Sequence, residues 1–323
     1  MLAFIVRRTL WMLMVMFAIS VLVFMIFFHT PGIDPARQMA GRNPTPQTIA
    51  AIKEEFGLNK PLPEQYVLMM NHLFISRDLV SYTNRGLKVV PQITAAAPVT
   101  FSLVLGAAVL WIFGSIIIGV SAAVLRGTIW DPLLMIVALI GISAPVFWVG
   151  EIANMLTQSK FHDSVFFSWV PPLGYTSFQS DPAMWAKHLI IPWVTLAILY
   201  IGFYGRVLRS SLIENQSEDF IRTARAKGLS ERRVLFRHSL RTSMITFISL
   251  FGLDFGALVG GGALLVEVVF GLPGVGYLTY NSLTNLDLPV IMGTVIYGAF
   301  FIVLANALVD VGYAFLDPRI RPT

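Results

Sequence analysis

Residues 206–241 read RVLRSSLIENQSEDFIRTARAKGLSERRVLFRHSLR, with long apolar runs on either side. Nine of the chain's 23 basic residues fall here: Arg206, Arg209, Arg222, Arg225, Lys227, Arg232, Arg233, Arg237 and Arg241. A basic connection between two apolar spans sets the direction of every span, because Lys and Arg concentrate on the cytoplasmic side of a membrane. The stretch also carries helix punctuation. Ser217 suits a helix cap, with Glu218 and Asp219 in the first turn. Phe220, Ile221 and Ala224 make an apolar side. Arg225 and Lys227 stand where the helix dipole favours cations, and Gly228 suits the left-handed position just past a helix end. Ser230 can cap a second helix, with Glu231 in its first turn and Val234, Leu235 and His238 along one side. The expectation is helix, sharp turn, helix.

Outward from this stretch, six segments have the ~20 apolar residues that a membrane crossing requires. They are residues 9–28, 98–125, 132–156, 188–208, 244–270 and 289–313. The fold class expected is an all-α membrane protein with six transmembrane helices. Composition agrees. The 323 residues are 56% hydrophobic and 13% charged, with a mean hydropathy of +0.72. A soluble domain carries about 25% charged residues, so a soluble globular enzyme is excluded. There is no Cys, which removes disulfides, thiolate metal sites and a Cys nucleophile. The first apolar run exceeds the length of a signal-peptide core and no small-residue cleavage site follows, so an anchor is expected.

With the N-terminus inside, fourteen of the 23 basic residues lie in the shorter inner segments. The nine outer ones are diluted by Asp34, Glu54, Glu55, Glu64, Asp78, Asp163, Asp181 and Asp287. Both termini are therefore expected on the inner side. The outer segment 29–97 is too long for a turn and has its own signals. Thr45 can cap, Pro46 fits a first helical position, Gly57 can stop that helix, and 64–74 is helically patterned. The expected organisation is residues 1–97, a first helix plus a long outer segment, and residues 98–323, a five-helix core carrying the 206–241 loop.

Several chemistries are missing. No G-x-x-x-x-G-K-[ST] phosphate loop is present, so ATP hydrolysis by this chain is not expected. There is no HExxH, and the five His are dispersed. No nucleophile elbow supports an intramembrane hydrolase. A helix-turn-helix contacting DNA is disfavoured because the stretch is tethered by spans at both ends, and a plain solvated linker would not need caps and stops. A rigid protein-docking element fits best.

Ionisable groups within spans are costly and mark function by default. Glu151, Asp254, Glu267 and Asp310 qualify. Asp254 lies near mid-span and is a candidate path residue, able to meet a peptide ammonium or to bond a neighbouring helix. Gly256 and Gly260 belong to a small-residue stripe that permits close helix approach, within the subunit or against a partner around the path.

The run Asp219-Phe220-Ile221-Arg222-Thr223-Ala224-Arg225-Ala226-Lys227-Gly228-Leu229-Ser230, followed by His238-Ser239-Leu240-Arg241, resembles the cytoplasmic EAA loop of ABC importer permeases of the oligopeptide/dipeptide (and nickel) subfamily. Gly57-Leu58-Asn59-Lys60-Pro61-Leu62, Pro98-Val99-Thr100, Glu267-Val268-Val269-Phe270 with Pro273-Gly274-Val275-Gly276, and Leu316-Asp317-Pro318-Arg319-Ile320-Arg321 resemble further stretches of that subfamily, in order along the chain. Thr242, Ser243 and Thr246 depart from its usual Asn-Ala and Pro, so the helix entering the membrane should be less kinked. The resemblance implies a type I ABC importer permease fold in a bacterial cytoplasmic membrane. It implies a second homologous permease, two cytoplasmic ATPases that bind ATP and Mg, and an extracytoplasmic substrate-binding protein, with no cofactor on this chain and no nucleic acid. Phe220, Arg222, Thr223, Ala224, Arg225, Ala226, Lys227, Gly228, Leu229 and Ser230 would form the ATPase-docking element, with Phe220, Ala224 and Leu229 as apolar anchors. The implied cargo is peptide, with nickel complexes or another small solute as the alternative. An ion-gradient-driven secondary transporter is the rival mechanism, but neither inverted repeats nor mid-span charge chains appear in the sequence.

Overall fold

The computed structural model describes residues 2–28, 34–40, 44–84 and 86–316. The C-terminal motif from Asp317 onward, with Arg319 and Arg321, lies outside the described residues, as do Arg42 and Arg85. Among the described residues, five helical stretches are long and apolar enough to cross a membrane: Val6–Ile26, Val89–Val124, Pro182–Asn215, Glu231–Gly262 and Leu288–Asp310. A bent pair of helices supplies a sixth candidate.

That pair corrects the expected single helix over 132–156. Helix α6 (Trp130–Ser143) and α7 (Val146–Asn154) meet at 91°. Pro145 has no N–H to donate and forces Ala144 out of helical geometry, to φ −80°, ψ 126°. With 14 residues, α6 is about 21 Å long, short of the roughly 30 Å hydrocarbon core. Other spans run longer than their apolar cores suggested. The helix Pro182–Asn215 (α8) begins at Asp181, whose carboxylate accepts from the N–H groups of Ala183 and Met184 at 2.9 and 3.0 Å. At 34 residues it is about 51 Å long, so it carries residues 209–215 past the apolar segment 188–208. The fifth span also differs from 244–270. It is one helical run, Glu231–Gly262, which passes through Thr246 unbroken and stops at Gly261, where φ is +110°.

The chain forms two compact units. The first comprises Met1–Thr100, Gly256–Leu264 and Pro273–Ala307. The expected boundary at 97/98 lies close to Thr100, but this unit also takes two later segments. Its core gathers Val23 and Phe24 of α1 (Leu2–Phe28), Ile52, Leu73, Ile291 and Met292. The outer segment follows its signals. Thr45 caps Pro46–Glu55 by accepting from the Thr48 N–H, and Gly57 ends the helix at φ +64°. The Ser76 hydroxyl and the His72 ring, 2.5 and 2.7 Å from Asp78, hold its carboxyl below the ordinary value. Buried Asp287 accepts from the Tyr82 N–H at 3.0 Å and from the Ser81 hydroxyl. Buried Thr100 accepts from the Val275 N–H at 2.8 Å, which joins two of the motif segments singled out in the sequence.

The second unit comprises Phe101–Phe255, Leu265–Leu272 and Leu308–Thr323. Trp111 is fully buried between Tyr200, Tyr204 and Phe251. The Trp193 indole donates to the Ser102 carbonyl at 2.9 Å. Arg209 of α8 grips Asp131 of α6 with two 2.6 Å hydrogen bonds. Such bidentate pairs fix orientation as well as distance.

Candidate functional site

The 206–241 stretch is a tight helical hairpin rather than a loop. Between α8 and the helix beginning at Glu231 stands a short helix, Asp219–Ala226 (α9). Only 216–218 and 227–230 are outside helices. The cap is not Ser217. Its hydroxyl donates back to the Glu214 carbonyl at 2.7 Å and helps close the last turn of α8. Glu218 takes the cap position with extended backbone and no side-chain cap bond.

The far end of α9 is decided by Gly228, at φ +76°. The Leu229 N–H donates to the Ala224 carbonyl at 3.3 Å and the Gly228 N–H to the Arg225 carbonyl at 2.9 Å. These are the two bonds of a Schellman ending, which needs one left-handed residue between them. The accompanying apolar contact is present too. Leu229 packs on a cluster of Ile221, Ala224 and Val234, each nearly or wholly buried. Arg225 then reaches across the turn to Glu231 with bonds of 2.8 and 3.1 Å. Turn, cluster and ion pair together lock α9 onto the start of the next span.

This corrects the list of apolar anchors. Ala224 and Leu229 face into the hairpin and hold it together, and Ile221 is the centre of that contact. Phe220 remains exposed, as do Arg222, Thr223, Ala226, Lys227, Gly228 and Ser230. Arg222 leans on Asp219 at 3.4 Å, and Arg225 is committed to Glu231.

The membrane candidates sort differently. Asp254 is bonded within the second unit: buried Tyr204 donates its hydroxyl at 2.5 Å. Gly256 and Gly260 are packing positions in the first unit. A Cβ on Gly256 would come within 2.1 Å of the Ala305 Cβ, and one on Gly260 within 2.8 Å of the Gly298 carbonyl oxygen. Both lie against the last helix, Leu288–Leu316 (α14). Glu267 is fully buried, whereas Glu151 is exposed on α7.

Residues 115–322 match the family model described as the inner membrane component of binding-protein-dependent transport systems, and residues 1–104 match its N-terminal companion. The chain belongs to that permease family. A peptide transport system permease protein of Brucella abortus is 37% identical over 319 residues, covering 99% of each chain. A peptide ABC transporter permease protein of Sinorhizobium fredii is 35% identical over 318 residues, covering 98% of this chain and 99% of its own. A glutathione transport system permease protein of Salmonella typhimurium is 36% identical over 321 residues, with 99% coverage of both. This protein is therefore an ABC-type permease component of the peptide-importer kind, a multi-pass inner membrane protein.

Two features of the permease were not visible as pairs in its sequence. Tyr204 is 50 residues from Asp254, and Asp131 is 78 from Arg209. No spacing rule links them. For Asp131 and Arg209, an acid flanking an apolar run and an Arg at the end of another were the only signals; Asp254 stood out as a mid-span acid, but nothing in the sequence named Tyr204 as its partner.

Proposed function

We propose that this permease forms half of a translocation path for di- and oligopeptides, paired with a second homologous permease. An extracytoplasmic binding protein delivers the peptide. Two cytoplasmic ATPases, holding ATP and Mg between them, drive the pair by alternating access, and one of them seats the 218–230 hairpin. This chain binds no cofactor and does no covalent chemistry. Both termini and the hairpin are cytoplasmic, in keeping with the density of Lys and Arg there.

One observation carries the reading. The exposed face from Phe220 to Ser230 stands at the junction of two long helices, Pro182–Asn215 and Glu231–Gly262. A push on that face is delivered to the Glu231–Gly262 helix through the locked turn, and the end of Pro182–Asn215 is tied to the same helix by the Asn215 amide, which donates to the Ser243 hydroxyl at 2.8 Å. Rigid-body coupling of this kind is how alternating access proceeds around a central site. The names of the peptide and glutathione permease relatives support peptide cargo.

The test is reconstitution. The complex that co-purifies with this chain, containing a second permease and two ATPases, should import peptide into proteoliposomes only with ATP and loaded binding protein. Uptake driven by an ion gradient without ATPases would refute the mechanism. Import of a nickel complex or another solute, but no peptide, would refute the cargo.

A further inference from the structure

A groove of about 800 Å³ opens between the end of the helix Val89–Val124 (α5) and the hairpin. Its two walls differ in chemistry. Val120 and Val124 of α5 and Leu125 just beyond it, with Leu235 and Phe236 of the span that starts at Glu231, make an apolar wall. Arg126, Arg225 and Arg232 line its mouth. The only acid on the lining is Glu231, and both its oxygens are taken by Arg225. Arg126 and Arg232 make no hydrogen bond or ion pair among the described residues; Arg126 feels the charge of nearby Asp131, but both oxygens of that carboxylate are taken by Arg209. The mouth therefore carries net positive charge, with two guanidinium groups whose hydrogen-bond donors are not engaged by a carboxylate among the described residues.

We propose that this groove binds an anionic phospholipid, its phosphate on Arg126 and Arg232 and an acyl chain along the apolar wall. Basic pockets at the cytoplasmic ends of spans select anionic headgroups. The shape of the groove argues for a lipid over a soluble protein surface or a free anion. Its apolar wall runs from the turn at Arg126 back to Val120, taking in the last turn of the helix, about 6 Å from Val124 to Val120. A ligand anchored in the bilayer reaches that depth, and a small hydrated phosphate gains nothing from it. The bound lipid would brace the hairpin through the Arg225–Glu231 pair that forms part of the lining. The coupling of ATPase to transport would then depend on anionic lipid. The placement rests on the cytoplasmic assignment of the hairpin, but the lipid readout below requires no peptide transport, so the two readings fail separately.

The experiment uses the purified transporter in nanodiscs of equimolar phosphatidylcholine and phosphatidylglycerol, followed by native mass spectrometry of the lipids retained on release. Wild type should retain phosphatidylglycerol in preference. Arg126→Gln with Arg232→Gln should lower that preference at least about tenfold, since each basic residue near the surface contributes about a factor of five. Equal retention by the double variant overturns the proposal. Photoactivatable phosphatidylglycerol on the wild-type protein gives an answer even if the variant fails to assemble. Labels on the segments holding Val120–Arg126 and Arg232–Phe236 support the site, and labels confined elsewhere refute it. Displacement of the lipid by inorganic phosphate would refute the acyl-chain half. Retention by the permease pair but not by the complex with its ATPases would make the ATPase the occupant and refute the lipid.

Discussion

Gly228 offers the sharpest test of the hairpin, because its role is torsional and nothing else. At φ +76° it sits where L side chains are disfavoured, yet a Cβ built on it meets nothing within 4 Å. Gly228→Ala therefore brings no clash, only the left-handed penalty of about 1–2 kcal/mol. A penalty of 1.4 kcal/mol shifts the local equilibrium about tenfold away from the turn. Asn tolerates left-handed backbone, so Gly228→Asn should cost less than Ala. Gly228→Pro cannot reach the angle, with φ fixed near about −65°, and it also loses the N–H bond to the Arg225 carbonyl, so its cost should exceed about 3 kcal/mol. The expected order of damage is Asn, then Ala, then Pro. The assay is peptide imported per ATP hydrolysed in proteoliposomes, with membrane insertion checked by yield of the assembled complex. Coupling should fall along that series while insertion stays constant. Normal ATP-driven import by Gly228→Pro would refute the docking role. Equal damage from Asn and Pro would refute the torsional argument, since it would show that the glycine's small size is what matters.

Ile221→Ala removes the centre of a small cluster and should cost about 2–3 kcal/mol, because large-to-small changes in a buried site leave a cavity. Hydrogen exchange across 219–230 should rise, whereas Phe220→Ala should leave exchange unchanged and weaken ATPase binding; the reverse assignment would sink the division into inner and outer faces. Tyr204→Phe takes the donor from Asp254 and should destabilise the protein by about 1–3 kcal/mol in thermal unfolding, whereas Asp254→Asn keeps an acceptor and should unfold nearly as wild type. If Asp254→Asn also imports peptides at the wild-type rate, Asp254 is a structural residue and leaves the path. Gly260→Val would drive side-chain atoms into the Gly298 backbone, and an unchanged unfolding temperature would contradict that packing, whose overpacking cost is about 1–3 kcal/mol or more.

The local turns of the chain were legible because they depend on neighbours in sequence. Thr45, Gly57 and Gly228 each act within a few residues, through a cap or a left-handed angle, and the structure has all three where the sequence put them. Ser217 misled for the same reason in reverse. Two local bonds were open to its hydroxyl, and the one closing α8 was taken. The extent of the helices was less legible. Apolar runs mark the part of a helix that suits lipid, but hydrogen bonding continues it into water, so α8 and the Glu231–Gly262 helix outrun their hydrophobic cores.

Length, apolar segments and the clustering of Lys and Arg determined by themselves that the chain crosses a membrane in about six passes, because transfer of such segments from water to lipid depends on composition alone. The residues around Gly228 marked a sharp turn between two helices, because short-range backbone geometry demands those residue types. Which side chains hold the hairpin and which stay exposed was decided only by the tertiary structure. Ala224 and Phe220 both read as apolar positions of one helix, and only the packing of Val234 and Leu229 against one side turns Ala224 inward and leaves Phe220 out. The pairing of Asp254 with Tyr204, the seating of Gly260 on Gly298 and the arginine-mouthed groove likewise bring together residues far apart in sequence. Such contacts depend on how whole helices pack, and no local pattern encodes that.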